Sequence, residues 1–279
     1  MKTYNQKKKI MIIWDFDGPI GQLNSSFPYK FNAARFDEEL DNVRYLIHYL
    51  NDAGIKNTFA VTGLSAEPGP YPLMFPDLID ELAKEGHEIA SHTWRHEWIP
   101  IFQEAQIDLS LQRSRYALQQ AIHECQPVHG LVPPFNRPMT WLADGNISLG
   151  DRGIFPWFKM ADNGRLFRLA KKHGYRWIRI SNKSLANRLK ISPRPLTGRV
   201  RQYKGLLILE NHYVGFDQRI IDYIGQHEAP TYTISAHPLM LSKENKTESK
   251  ANFERFIQYF LQKKDEFEFI TPSQLLHDE

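Results

Sequence analysis

An α/β protein built on a parallel sheet or barrel is what the sequence predicts, and three observations predict it. Short apolar segments of strand length alternate along the 279 residues with longer stretches whose apolar positions recur at helical spacing. Glycines close several helical stretches just before a strand begins, at Gly54, Gly86 and Gly174. Residues able to do chemistry cluster where apolar strands end, and in α/β folds those ends share one face.

The elements follow in order. Ile10-Met11-Ile12-Ile13-Trp14 reads as a buried strand that Asp15 and Asp17 close and Gly18-Pro19 breaks. Residues 37–51 put Leu40, Val43, Leu46, Ile47 and Leu50 near helical spacing, and a strand over 57–61 follows Gly54. Residues 78–85 read as a helix, then 86–90 as a short strand, 109–123 as a longer helix and 128–132 as a strand. A helix over 165–173 stops at Gly174 before a strand over 175–180. Strands over 206–209, 232–235 and 267–270 and a helix over 253–262 complete the alternation. Residues 65–76 and 242–250 read as loops, and no linker, repeat or low-complexity tract divides the chain, so 1–279 is expected to be a single domain.

With 42% hydrophobic and 13% aromatic residues the chain can bury a large core. The polar start and the lack of a long apolar run predict neither a signal peptide nor a transmembrane helix. A lone Cys125 excludes an internal disulfide and suits a reducing compartment, so a cytoplasmic address is expected. Charge is polarised: residues 163–209 hold no Asp or Glu but 13 basic residues, although the whole chain carries only +3. Such a stretch suits an anionic, phosphate-bearing small molecule or the inner face of a membrane rather than nucleic acid; the competing reading is a solvated surface paired with acids elsewhere. Oligomeric state is not readable.

Three motifs carry the chemistry: Trp14-Asp15-Phe16-Asp17-Gly18-Pro19, Ser91-His92-Thr93-Trp94-Arg95-His96, and Ile234-Ser235-Ala236-His237-Pro238. Together they supply carboxylates, two imidazoles four residues apart and a late histidine, the donor set of a hydrolytic metal site with separate proton-transfer groups. Taken singly each has a plain structural reading. Histidines at i,i+4 are often partly buried polar residues, Asp15 can hydrogen-bond the turn that follows it, and His237 can be purely structural. Two-residue spacing on a strand returns Asp15 and Asp17 to one face.

In combination and order, over roughly residues 10–274, these motifs resemble the polysaccharide deacetylases, the metal-dependent family-four carbohydrate esterases (NodB-like). The resemblance implies an irregular (β/α)7-type barrel. It implies Asp17, His92 and His96 as ligands to Zn²⁺ or another divalent ion such as Co²⁺, Ni²⁺ or Fe²⁺, with His237 as general acid. The usual base directly precedes the metal Asp, where this chain has Phe16; a divergent Asp-x-Asp branch would make Asp15 the base. The family's Arg before Pro-Pro-Tyr/Phe is missing from Val132-Pro133-Pro134-Phe135, and Arg137 is the nearest replacement. The Asp that polarises the catalytic histidine is also missing, with Glu210 as a stand-in.

Trp94, Phe135, Asn136, Arg137, Glu210 and His212 are the substrate-binding candidates, although Trp94 and Phe135 suit pocket-wall packing and Glu210-Asn211-His212 can merely close a turn. Arg179, Lys183 and Arg201 are the candidates for a phosphate on the substrate. The expected activity is N-deacetylation of an acetamido or formamido sugar, carried on a nucleotide or lipid. The alternatives are hydrolysis of a cyclic amide or imide, and an inactive glycan-binding relative.

Overall fold

The computed structural model describes residues 7–25, 31–99, 102–134, 145–148, 157–160, 163–181 and 198–276. Seven strands form a continuous parallel run in the order β11 (Thr231–Ala236), β1 (Lys8–Phe16), β2 (Thr58–Val61), β3 (Glu88–Ser91), β4 (Gly130–Leu131), β7 (Trp177–Ile180) and β9 (Leu206–Glu210). The short β8 (Val200–Tyr203) pairs antiparallel with β9, and β12 (Phe267–Phe269) joins the start of β1. From β9, Asn211 and His212 lead straight into β10 (Tyr213–Val214), which pairs with β11 at the other end of the run. The sheet therefore curls on itself as a half-barrel, as the (β/α) barrel expectation requires.

Alternation along each strand sorts side chains into two cores. Met11, Ile13, Ala60, Ala90, Val132, Trp177, Leu207 and Leu209 point inward and fill the barrel. Ile10, Ile12, Trp14, Phe59, Ile89, Ile178, Ile208 and Ile234 point outward under the helices. Those helices are α1 (Gly18–Asn24), α2 (Ala33–Asp52), α3 (Pro76–Lys84), α4 (Glu104–Ala121), α5 (Asn163–Lys172), α6 (Gln218–Gln226), α7 (Lys250–Leu261) and the single turn α8 (Pro272–Leu275). The longer ones lay an apolar stripe on the sheet, such as Phe36, Leu40, Val43, Leu46, Ile47 and Leu50 of α2.

Some elements were not legible in advance. Gly18-Pro19 does end β1, but the proline then sits in the first turn of α1, where its missing N–H costs nothing. The antiparallel pair β5 (Gly145–Ser148) and β6 (Trp157–Met160), the edge strands β8 and β10, and α6 were likewise unforeseen.

Two buried histidines lie outside the mouth of the barrel. His87 Nδ1 accepts from the Asn57 amide at 3.2 Å and His212 Nδ1 accepts from the Thr233 amide at 3.0 Å. Burial pushes both imidazoles down to about 4, from an ordinary 6.5. Between those values the unfolded chain takes up protons that the folded one refuses, so stability should fall as pH drops from 6.5 to 4. Each group contributes up to about 3 kcal/mol to that loss. Urea midpoints measured across this range should decline, and His87→Gln should flatten the decline; a midpoint independent of pH would contradict it.

Candidate metal centre and active site

Asp17 stands one residue past the end of β1, where Gly18, at φ +63°, turns the chain into α1. A Cβ on Gly18 would lie 2.9 Å from Ser65 Oγ, so this sharp exit requires glycine. His92 and His96 follow β3, but not on a helix. Thr93 and His96 adopt φ of +64° and +60°, and these two left-handed residues fold a tight turn that brings the imidazoles together. For a β-branched residue such as Thr93 that conformation is strained, by about 1–3 kcal/mol. The turn is held by the Gly63 amide, which donates to Thr93 O at 2.8 Å, and the Glu97 amide, which donates to Thr93 Oγ1 at 3.1 Å.

Asp17 Oδ1 lies 3.3 Å from His92 Nε2 and 3.2 Å from His96 Nε2, and the donor atoms of the three residues fall within 4.8 Å of one another. Two ligands on a tetrahedral ion with bonds of about 2.0–2.1 Å stand about 3.3 Å apart, so these separations fit a Zn²⁺-like ion. His92 Nδ1 donates to Val132 O at 2.7 Å, which leaves the Nε2 lone pair facing Asp17. Asp17 Oδ1 is buried without a hydrogen-bond partner, a costly state that a cation relieves. Two imidazoles and one carboxylate form a borderline donor set that suits zinc or a neighbouring divalent transition metal.

Next to this cluster, Asp15 points into the barrel from β1, 1% exposed. Its partner is Arg179 on β7, which is fully buried: Nη2 donates to Asp15 Oδ2 at 2.7 Å, Nη1 lies 2.7 Å from Oδ1 and also donates to Ile13 O at 3.3 Å. Burial alone would raise the Asp15 carboxyl, but the Arg179 guanidinium, with His92 and His237, holds it below the ordinary value. Across the mouth, His237 Nε2 stands 3.8 Å from Asp15 Oδ2. The Nδ1 of His237 meets Glu248 Oε2 at 2.8 Å, and the same oxygen accepts the His237 amide at 2.6 Å. Burial would lower this imidazole, yet Glu248 first and then Asp15 push it up to about 10.

Arg179 and Glu248 are the two residues that sequence reading missed in these roles. Arg179 had been grouped with surface cations for a phosphate. A signal was present in Trp177-Ile178-Arg179-Ile180, since a cation inside an otherwise apolar strand, on the same face as Trp177, needs a buried partner. Glu248 had no local signal: it sits in a loop 11 residues past His237.

Several candidates lie elsewhere. Glu210 and His212 alternate with the inward Leu209 and Asn211, so they face outward; Glu210 pairs with Arg201 at 3.3 Å and His212 packs on Tyr223 and Tyr232. Glu210 therefore does not stand in for the partner of His237. Trp94 is 4% exposed in the outer core, with the Arg113 guanidinium 4.4 Å above its ring, and offers no surface to a substrate. Phe135, Asn136, Arg137 and Lys183 fall outside the described residues. Within the basic stretch Arg168 pairs with Glu104, and Lys172 and His173 with Asp108, all reaching from α5 to α4. With Arg179 on Asp15 and Arg201 on Glu210, at least four of the 13 basic residues thus have acid partners, two of them in exposed pairs. Among the described residues no helix is long and apolar enough to cross a membrane.

The family model for polysaccharide deacetylase matches residues 5–142, the span that contains Asp15, Asp17, His92 and His96. Over that span the chain belongs to the polysaccharide deacetylase family. Solved structures agree on the fold of the whole deacetylase-family chain. A Mycobacterium smegmatis protein of polysaccharide deacetylase type is 15% identical with a TM-score of 0.67, over 98% of this chain and 90% of its own. The allantoinase PuuE is 13% identical with a TM-score of 0.62, over 99% and 91%. A family-four carbohydrate esterase pseudoenzyme from Bacillus anthracis is 11% identical with a TM-score of 0.54, over 98% and 66%. No curated protein sequence matches the chain.

Proposed function

We propose that the protein is a metal-dependent N-deacetylase that releases acetate or formate from an acetamido or formamido sugar carried on a nucleotide or lipid phosphate, inside the cell. The observation that carries this reading is the convergence of Asp17, His92 and His96 beside two proton-transfer groups, Asp15 and His237, whose nearest atoms stand 3.8 Å apart. Asp17, His92 and His96 would hold a divalent ion, which would supply Lewis acidity at the mouth. Asp15, kept ionised by Arg179, accepts a proton from the attacking water at Oδ2. His237, with Nδ1 held by Glu248, donates from Nε2 to the sugar nitrogen as the C–N bond breaks. Water and amide become carboxylic acid and amine, and the proton taken on one side is returned on the other. Retention of Arg179 and Glu248 as partners of Asp15 and His237 supports turnover over mere glycan binding, because a binder has no use for groups that poise a base and an acid.

The phosphate rests on the acid-free stretch. Arg199 precedes β8 beside the C-terminal end of β9 and is exposed, as Arg201 is in part, whereas Arg179 is withdrawn from that role. The zinc-loaded protein should be assayed for acetate and formate release on free, nucleotide-linked and lipid-linked acetamido sugars, with a cyclic amide as a further arm. Activity on the phosphate-linked sugars is expected, with apparent KM rising with ionic strength while kcat holds, because exposed charges are screened over about 8 Å. Turnover only of the cyclic amide would replace the deacetylase reading, and equal, salt-independent activity on neutral sugars would remove the phosphate.

Glu248→Gln gives a separate check on the acid. Loss of the carboxylate should let the His237 pKa fall from about 10 towards its ordinary range, so the alkaline limb of kcat should move towards neutral pH. An unmoved limb would leave His237 without the acid role.

A further inference from the structure

The buried face of α4 carries two serines where the helix otherwise presents Ile107, Leu111, Ala117 and Leu118. Ser110 and Ser114, one helical turn apart, are 5% and 0% exposed. A buried hydroxyl is poorly suited to that position unless it makes hydrogen bonds, and serine is a weaker helix former than alanine. Both make them with the turn that joins His92 to His96. Ser114 Oγ donates to Thr93 O at 3.0 Å and lies 2.7 Å from Ser91 Oγ, which accepts the Thr93 amide at 3.2 Å. Ser110 Oγ accepts the Trp94 amide at 3.0 Å. Gly63, whose amide shares Thr93 O, is packed so closely on Ser114 that a Cβ there would lie 2.5 Å from Ser114 Cα. The peptide groups flanking the left-handed Thr93 are thus tied to a rigid helix of 18 residues.

We propose that Ser110 and Ser114 are positioning residues for the metal centre: α4 sets the conformation of the 92–96 turn and, through it, the affinity for the ion. The proposal rests on the reading of Asp17, His92 and His96 as ligands. Without the serine bonds the turn relaxes from its left-handed residues, and two imidazoles that met at 3.2–3.3 Å from one carboxylate oxygen no longer do so before the ion arrives. The ion must then organise its own ligands, and affinity falls.

Ser110→Ala, Ser114→Ala, the double variant and Ser114→Cys test this against Leu111→Val, which trims the same helix face but removes no hydrogen bond to the turn. Zn²⁺ affinity by competition titration, thermal midpoint, and amide hydrogen exchange of the metal-free proteins are the readouts. The double variant should bind zinc about 10- to 100-fold more weakly. Ser110→Ala should lose exchange protection at the Trp94 amide, and Ser114→Cys, a weaker donor of similar size, should fall between wild type and Ser114→Ala. Leu111→Val should lower the midpoint without moving zinc affinity. Serine variants within twofold of wild type, or a control that weakens zinc equally, would overturn the proposal. A wild-type protein that binds no zinc would instead sink the metal reading, while the exchange result would still decide whether the serines hold the turn.

Discussion

Asp17→Asn, His92→Ala and His96→Ala proteins should each purify with far less than one equivalent of zinc, against close to one for wild type. The reason lies in the donor count. Three side chains converge within 4.8 Å, and removal of one leaves two, too few to compete with water for a divalent ion. The loss should be specific to the metal. In the metal-free state His92→Ala forfeits the hydrogen bond to Val132 O, worth about 1 kcal/mol, so folding should survive while metal content collapses. Metal analysis on the purified proteins, with the circular dichroism of each, reads both quantities. A variant that keeps a full equivalent at unchanged affinity would show that the ion, if any, sits elsewhere.

Asp15→Asn should keep the metal and lose turnover by about 10² to 10⁴-fold, because asparagine preserves the shape and one of the two contacts with Arg179 but cannot accept a proton; it also leaves the buried guanidinium uncompensated, at some cost in stability. Arg179→Met should act differently. Burial is the largest influence on Asp15 and raises its pKa; once the guanidinium no longer opposes it, the carboxyl will ionise only at higher pH, and the acid limb of kcat should shift upward. Removing one member of a fully buried ion pair also costs about 3–5 kcal/mol, so this variant should unfold at lower urea than wild type. Near wild-type turnover in Asp15→Asn would leave Asp15 as a structural partner of Arg179 and return the base to an unassigned group.

The parts of the fold legible in the sequence were those fixed by local pattern. The run Ile10–Trp14 is buried on both faces and so reads as continuous apolar sequence, and α2 shows its stripe because only one face is buried. Edge strands such as β8, exposed along Val200 to Gln202, lack that pattern, and β4 is too short to show one. At the site, residues carried by contiguous motifs were legible, whereas partners supplied by distant segments were not. Arg179 reaches Asp15 across 164 positions of sequence, and Glu248 reaches His237 from a loop; both pairings exist only after the sheet has curled. Glu210 and His212 misled because they end and follow a strand, yet alternation with the inward Leu209 turns them away from the mouth.

The apolar layer beneath the mouth has a consequence for proton traffic. Met11, Ile13, Ala60, Ala90, Val132, Trp177, Leu207 and Leu209, each at most 2% exposed, fill most of the barrel below Asp15, and the buried Thr58, Glu88, Thr233 and Ser235, which pair with Met11 and Ile13 or with one another, are the polar groups on the same inward face. In the deacetylase reading proposed above, the short way for Asp15 and His237 to exchange protons with bulk solvent is the mouth, where the His237 side chain is 27% exposed. On that reading a substrate covering the mouth would cut this route, and the proton taken from water would be the nearest one to the departing nitrogen. Such a site would couple the two transfers by exclusion, and Ile13→Ser, which adds a hydroxyl beside Thr58 and Ser235 beneath Asp15, should loosen that coupling by joining the buried polar groups to the base.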